Sequence, residues 1–149
     1  FSPKEVATIE FRPMGGDGNI IKALDAFPTN PKSLSLVGLL DGDAEAKGHA
    51  GDRVAFLPGG EPVEVLYRQM LESDIDRVEP IIGIQNIRQY VFSQGGVELH
   101  EWFEGLKSNS NLSSEQLHLL LFRAWIAKPE NRELARRYFE ALASKIGLT

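Results

Sequence analysis

Two aspartates separated by one glycine, Asp41-Gly42-Asp43, are the residues of this sequence best suited to chemistry. Carboxylates are hard oxygen ligands, the kind that magnesium and manganese prefer. If a strand runs on through the motif, residues 41 and 43 point to the same face. If it ends at Asp41, the small Gly42 lets a turn bring both carboxylates together. Either arrangement sets two oxygen ligands within reach of one divalent cation, which would position phosphate and water and absorb charge developing on phosphoryl oxygens. Clustered carboxylates are costly unless a counter-charge lies nearby. The plainer reading is a solvent-facing turn with helix-capping aspartates, and the apolar segment before the motif argues against it. Glu45 follows at the next alternate position, as a further ligand or a surface glutamate. Lys47 is placed to approach a phosphate or simply to sit in solvent. Glu64, in the first turns of a later helix, is the other acidic candidate, with Glu61 as its substitute; for both, the alternative role is to complement the positive helix N-terminus.

Other chemistries are poorly supplied. The chain has no cysteine, which excludes disulfides, iron–sulfur clusters and cysteine-based zinc sites within it. Its three histidines, His49, His100 and His118, lie far apart in sequence and read as structural. Neither a Ser/His/Asp nor a Cys/His arrangement is supported. Gly15-Gly16-Asp17-Gly18-Asn19 precedes a helix, whose start could receive an anion. It is not Gly-x-Gly-x-x-Gly and lacks the lysine of a nucleotide-binding loop, so a backbone turn is the default. A net charge of -5 gives no broad basic face for nucleic acid. Arg132, Arg136 and Arg137 are the best small basic patch, and equally a solvated helix face. No apolar run approaches the roughly 18 residues of a membrane span. A cytoplasmic location with no membrane partner is expected.

The elements that must position these residues follow from hydrophobic patterning. Val6–Phe11 reads as a short strand. The turn through Gly15, Gly16 and Gly18 leads to a helix over Asn19–Phe27, with Ile20, Ile21, Leu24 and Phe27 at helical spacing and Asn19 or Asp17 as its cap. Pro28 and Pro31 bound a loop. Leu34–Leu40 is the clearest strand, apolar enough to be a parallel strand covered on both faces. The acidic motif stands at its carboxyl end, where open α/β sheets bind ligands. Arg53–Leu57 is a further strand, and Pro58-Gly59-Gly60 turns into a helix over Glu61–Leu71, with Pro62 in its first turn. The second half is helical: Ile81–Phe92, Leu99–Leu106 with Trp102 and Phe103, a helix after Ser113 with Gln116 completing a capping box, and a last helix from Pro129. Its inward residues are expected to be Leu134, Tyr138, Leu142 and Ile146. The fold class is α/β, with a mostly parallel central sheet in residues 1–71 and a helical segment in residues 72–149.

The segments Val6–Phe11, Met14-Gly15-Gly16-Asp17-Gly18-Asn19-Ile20, Leu36–Asp43, Val54–Pro58 and Glu61–Leu66 together resemble a TOPRIM domain. They are most similar to the C-terminal nuclease domain of the OLD (overcoming lysogenization defect) family of ATP-dependent endonucleases. The resemblance is strongest over residues 6–71. It implies metal-dependent nicking or cleavage of DNA, with Asp41 and Asp43 holding Mg2+ or Mn2+, one ion or two, and Glu64 contributing from the helix after the next strand. It also implies an N-terminal ABC-type ATPase in the same protein, a homodimer, and a role in phage defence or DNA processing. The family's first motif, a strand ending in Glu-Gly, has no counterpart here; Glu5 and Glu10 do not match it. The chain is therefore expected to start after that motif. The family's late phosphate-assisting lysine has only Lys107 and Lys128 as matches.

Two further functions compete. A haloacid-dehalogenase-type phosphatase also carries Asp-x-Asp after a buried strand and uses the first aspartate as nucleophile. That class has Thr or Val two residues beyond the second aspartate, where this chain has Glu45, and its motif lies on the chain's first strand. The other alternative is a non-catalytic interaction or regulatory domain that keeps the acidic surface, which the missing first glutamate favours.

Overall fold

The computed structural model describes residues 10, 12–27 and 35–147. The strand expected over 6–11, the loop at Pro28 and Pro31, and Leu34 fall outside these residues, Glu10 excepted. The chain divides into two compact units, one formed by residues 1–60 with 137–149 and the other by residues 61–136. Residue 71, the expected end of the α/β part, lies inside a helix of the second unit.

The first unit is α/β. Helix α1 (Asp17–Asp25) begins after Gly15 and Gly16, whose φ values of 70° and 116° are open to glycine at no steric cost. Neither Asn19 nor Asp17 is its N-cap; that position is Gly16. Asn19 instead donates to the Met14 carbonyl at 2.9 Å and holds the glycine turn closed. Strand β1 (Gly38–Leu40) pairs in parallel with β2 (Val54–Phe56), in the register Gly38 to Val54, Leu39 to Ala55 and Leu40 to Phe56. Among the described residues these are the only two strands.

The expected seven-residue strand is shortened because its partner is short. β2 starts directly after a turn closed by Val54 N–H donating to the Gly51 carbonyl. The ladder between the two strands accordingly begins at Gly38. Leu24, Leu40, Ala44 and Val54 form the small core, with Ile20, Ile21, Leu36 and Phe56 packed against it. Phe27, expected to face inward, lies beyond the helix end and is 51% exposed. Arg53, at the foot of β2, donates to the Leu24 carbonyl at 2.9 Å and the Phe27 carbonyl at 2.5 Å. The Leu24 carbonyl also accepts from Phe27 N–H; both carbonyls lie at the C-terminal end of the helix, where the guanidinium charge is complementary.

The second unit is helical. α2 (Val63–Ile82) runs well past the expected end at residue 71. Tyr67, Leu71, Ile75, Val78 and Ile82 continue one apolar stripe at three- and four-residue spacing, so burial carries the helix through a local kink at Asp74. It packs chiefly on α5 (Ser114–Ile126), and also on α3 (Ile87–Ser93) and α4 (Leu99–Ser110). The single helix expected over 81–92 is broken, because Gly83 and Asn86 both take left-handed backbone, at φ 66° and 60°. Gly83 N–H closes α2 on the Glu79 carbonyl. The capping box of Ser113 and Gln116 is present as expected. α6 (Pro129–Lys145) gives this unit its residues up to Arg136, with Ala135 buried and Leu134 half-buried; its remainder belongs to the first unit, with Ala143 buried, Tyr138 and Leu142 half-buried, and Ile146 half-buried just beyond its end. Trp102 is fully buried at the centre of this core, with the Arg68 guanidinium 5.6 Å from its ring centroid.

Two outcomes follow from this packing. A Cβ at Gly38 would lie 2.6 Å from Ile20 Cγ2 and 3.0 Å from Leu24 Cδ1, so Gly38→Val is expected to destabilise the protein by about 1–3 kcal/mol in urea unfolding. Burial, with the Glu64 charge adding to it, pushes the Tyr67 phenol above its ordinary 10.0. The unfolded chain therefore loses this proton first, and the stability of the neutral phenol is complete below about pH 10 and lost as pH rises beyond it. Unfolding midpoints should fall across this alkaline range, and fall less steeply in Tyr67→Phe.

Candidate functional site

The acidic motif is positioned by the end of the parallel ladder. Gly38 N–H donates to the Arg53 carbonyl and Leu57 N–H to the Leu40 carbonyl, both at 2.8 Å. Pairing therefore stops at Leu40, and Asp41 is the first residue beyond it, with φ -59° and ψ 155°. A 3-10 turn over Gly42–Ala44 follows, closed by Ala44 N–H on the Asp41 carbonyl at 3.1 Å. Ala44 is fully buried in the small core. It anchors the turn from below and leaves the flanking aspartates half-buried at the strand's carboxyl end. The Asp41 side chain does not cap the turn, so the capping role considered for it is not the one it takes.

Asp43 is the more constrained of the pair. Its side chain is 21% exposed, and Oδ2 lies 2.9 Å from the Lys47 ammonium. Its other oxygen, Oδ1, is buried and has no hydrogen-bond donor among the described residues. A buried acceptor left this way costs about 1–3 kcal/mol. Lys47 reaches Asp43 because the turn continues helically, with Lys47 N–H donating to the Asp43 carbonyl at 3.2 Å. The hydrogen bond that Lys47 donates to Asp43 raises its pKa above the ordinary value, and the charges of Asp43, Asp17 and Asp41 add to this. One carboxylate thus contacts this ammonium, and the charges of two more act on it. Asp17 was not distinguishable from a turn residue in the sequence. The Asp43–Lys47 pair had a readable signal, an acid four residues before a base.

The remaining candidates are arranged differently. Glu45 ends the 3-10 turn and is exposed. Glu64 is half-buried in the first turn of α2, in the other compact unit, where its charge is felt by Tyr67. Glu61 is exposed before that helix. Among the described residues, no three or more His, Asp or Glu side chains come together as a metal-holding group. Magnesium does not require such a cage: one or two carboxylates, waters and substrate phosphate are its usual shell. Asp41 with Asp43, whose Oδ1 is buried and undonated, fits that donor set.

Residues outside the motif serve the fold. His118 packs between Tyr67 and Phe103, at ring distances of 5.8 Å and 4.7 Å. His100 donates its backbone N–H to the Glu98 cap, and His49 N–H closes the loop on the Ala44 carbonyl. Lys107 is paired with Glu104, and Lys128 is exposed. In the arginine patch, Arg136 pairs with Glu133 at 2.8 Å, and Arg132 donates to the Ile126 carbonyl at the end of α5. No helix among the described residues is long and apolar enough to cross a membrane. Comparison with protein-family models, with curated proteins and with solved structures gave no match.

An undonated buried carboxylate oxygen destabilises the fold in the absence of a cation. In EDTA, Asp43→Asn is expected to unfold at a urea midpoint no lower than wild type. A marked drop would assign Asp43 to structure rather than to a site.

Proposed function

We propose that this chain carries the divalent-cation site of a TOPRIM-like DNA endonuclease of the OLD type. One observation carries the reading: a pair of aspartates at the carboxyl end of a buried parallel strand, one of which has a buried oxygen with no donor among the described residues. Such an oxygen is costly in the fold and useful to a cation. A bound Mg2+ or Mn2+ would supply Lewis-acid stabilisation of the phosphoryl oxygens and a more acidic water. Asp41 and Asp43 would hold it, and Glu45 would be a solvent-side ligand. Ala44, buried just after them in sequence, anchors the turn that carries both aspartates. The chain would work in the cytoplasm, joined to an N-terminal ATPase and acting as a homodimer on DNA.

One observation favours a second reading. The Asp43–Lys47 pair supplies an internal counter-charge, which suits a non-catalytic interaction domain that never binds a cation.

Nicking of supercoiled plasmid by the full-length protein separates the two. Outer-shell partners of a metal site alone cost 10- to 100-fold on mutation, so loss of a direct ligand, in Asp41→Ala or Asp43→Ala, is expected to reduce Mn2+- or Mg2+-dependent nicking by at least about 100-fold. Full activity in the double variant would sink the nuclease reading. Absence of nicking by the wild type in either metal would favour the non-catalytic one.

A further inference from the structure

We propose that Lys47 is a resident counter-cation of the acidic site, displaced when a divalent ion binds and thereby freed to meet the phosphate of an incoming phosphodiester. The inference rests on the metal-site reading above and deepens it.

The argument starts from Asp43. One of its oxygens is held by the Lys47 ammonium at 2.9 Å, and the other is buried with no donor among the described residues. The carboxylate is therefore only half satisfied by the lysine. A divalent ion offers twice the charge and approaches to about 2.0–2.1 Å for magnesium, so it competes for the same group on favourable terms. A cation seated there would also repel the ammonium. Lys47 is able to leave at little cost, because its side chain is 55% exposed and tethered only through its own helical turn. On leaving, it stays within one turn of Asp43, in the field of Asp17 and Asp41, as a mobile positive charge at the rim of the site. A phosphate oxygen drawn to the metal would then find this ammonium close by, as a point-charge partner. Before metal arrives, the same lysine neutralises one oxygen of Asp43 and occupies the place an adventitious cation would take.

Mn2+ titration followed by electron paramagnetic resonance, with lysine acylation read by mass spectrometry, tests this on the full chain. Exposed ion pairs of this type are weak, so Lys47→Met is expected to bind Mn2+ about two- to fivefold more tightly than wild type. Lys47→Arg, which keeps the charge, should stay close to wild type. Acylation of Lys47 should accelerate when Mn2+ is added, while that of exposed Lys22 should not. Wild type that binds Mn2+, together with an unchanged or weaker affinity in Lys47→Met and a Lys47 reactivity indifferent to Mn2+, would overturn the exchange and leave the metal site standing. No Mn2+ binding by either protein would overturn both.

Discussion

The parallel pairing of β1 with β2 is the constraint on which the candidate site depends. Three residues on each strand are a short ladder, and a bond at each end, from Gly38 N–H and to the Leu40 carbonyl, fixes where it stops. Parallel neighbours require a crossover of about a dozen residues or more. Here that crossover is the acidic loop itself, with the 3-10 turn at its start. The loop is consequently not a free excursion. It is pinned at one end by the last ladder residue, at the other by the first residue of β2, and between them by Ala44 in the core. Arg53 adds a fourth tie by binding the carbonyl end of α1 from the base of β2.

The helical unit is held by a different logic. Its core is one apolar cluster centred on Trp102, Leu71, Leu106, Leu117 and Leu121, all fully buried. Its polar contacts secure ends rather than a site. Glu98 and Ser113 cap two helices, and Arg68 donates to the Gln94 and Val97 carbonyls while covering the Trp102 ring. The chemistry-bearing groups of this unit are thus largely committed to structure. Glu64 is the exception that the sequence singled out, at the first turn of α2, where a carboxylate also complements the helix dipole.

Much of this was legible in the sequence, for identifiable reasons. The strand before Asp41 showed itself by its continuous apolar run, and the helix after Ser113 by its capping box. Helix extents were less readable. The end of α2 was missed because the polar stretch from Glu72 to Asp76 hides the stripe formed by Ile75, Val78 and Ile82. The break at residues 83–86 was missed because left-handed backbone at Asn86 is set by the surrounding fold as much as by residue type. In the site, residue types and spacing pointed to Asp41 and Asp43. They did not single out Asp17, because its proximity to the lysine field is a tertiary fact. Nor did they reveal that one oxygen of Asp43 is buried with no donor among the described residues, which is a tertiary fact as well.

Gly38 gives the acidic site a mechanical setting. The missing side chain lets α1 lie directly on β1, through Ile20 and Leu24. That helix begins with Asp17, and the strand ends one residue before Asp41. The gap between helix and strand therefore sets the spacing of charges at the site, although position 38 itself carries no charge and touches none of them. A change of size there would be felt as a change of field at Lys47. Steric spacing and electrostatic tuning are, in this small unit, the same variable.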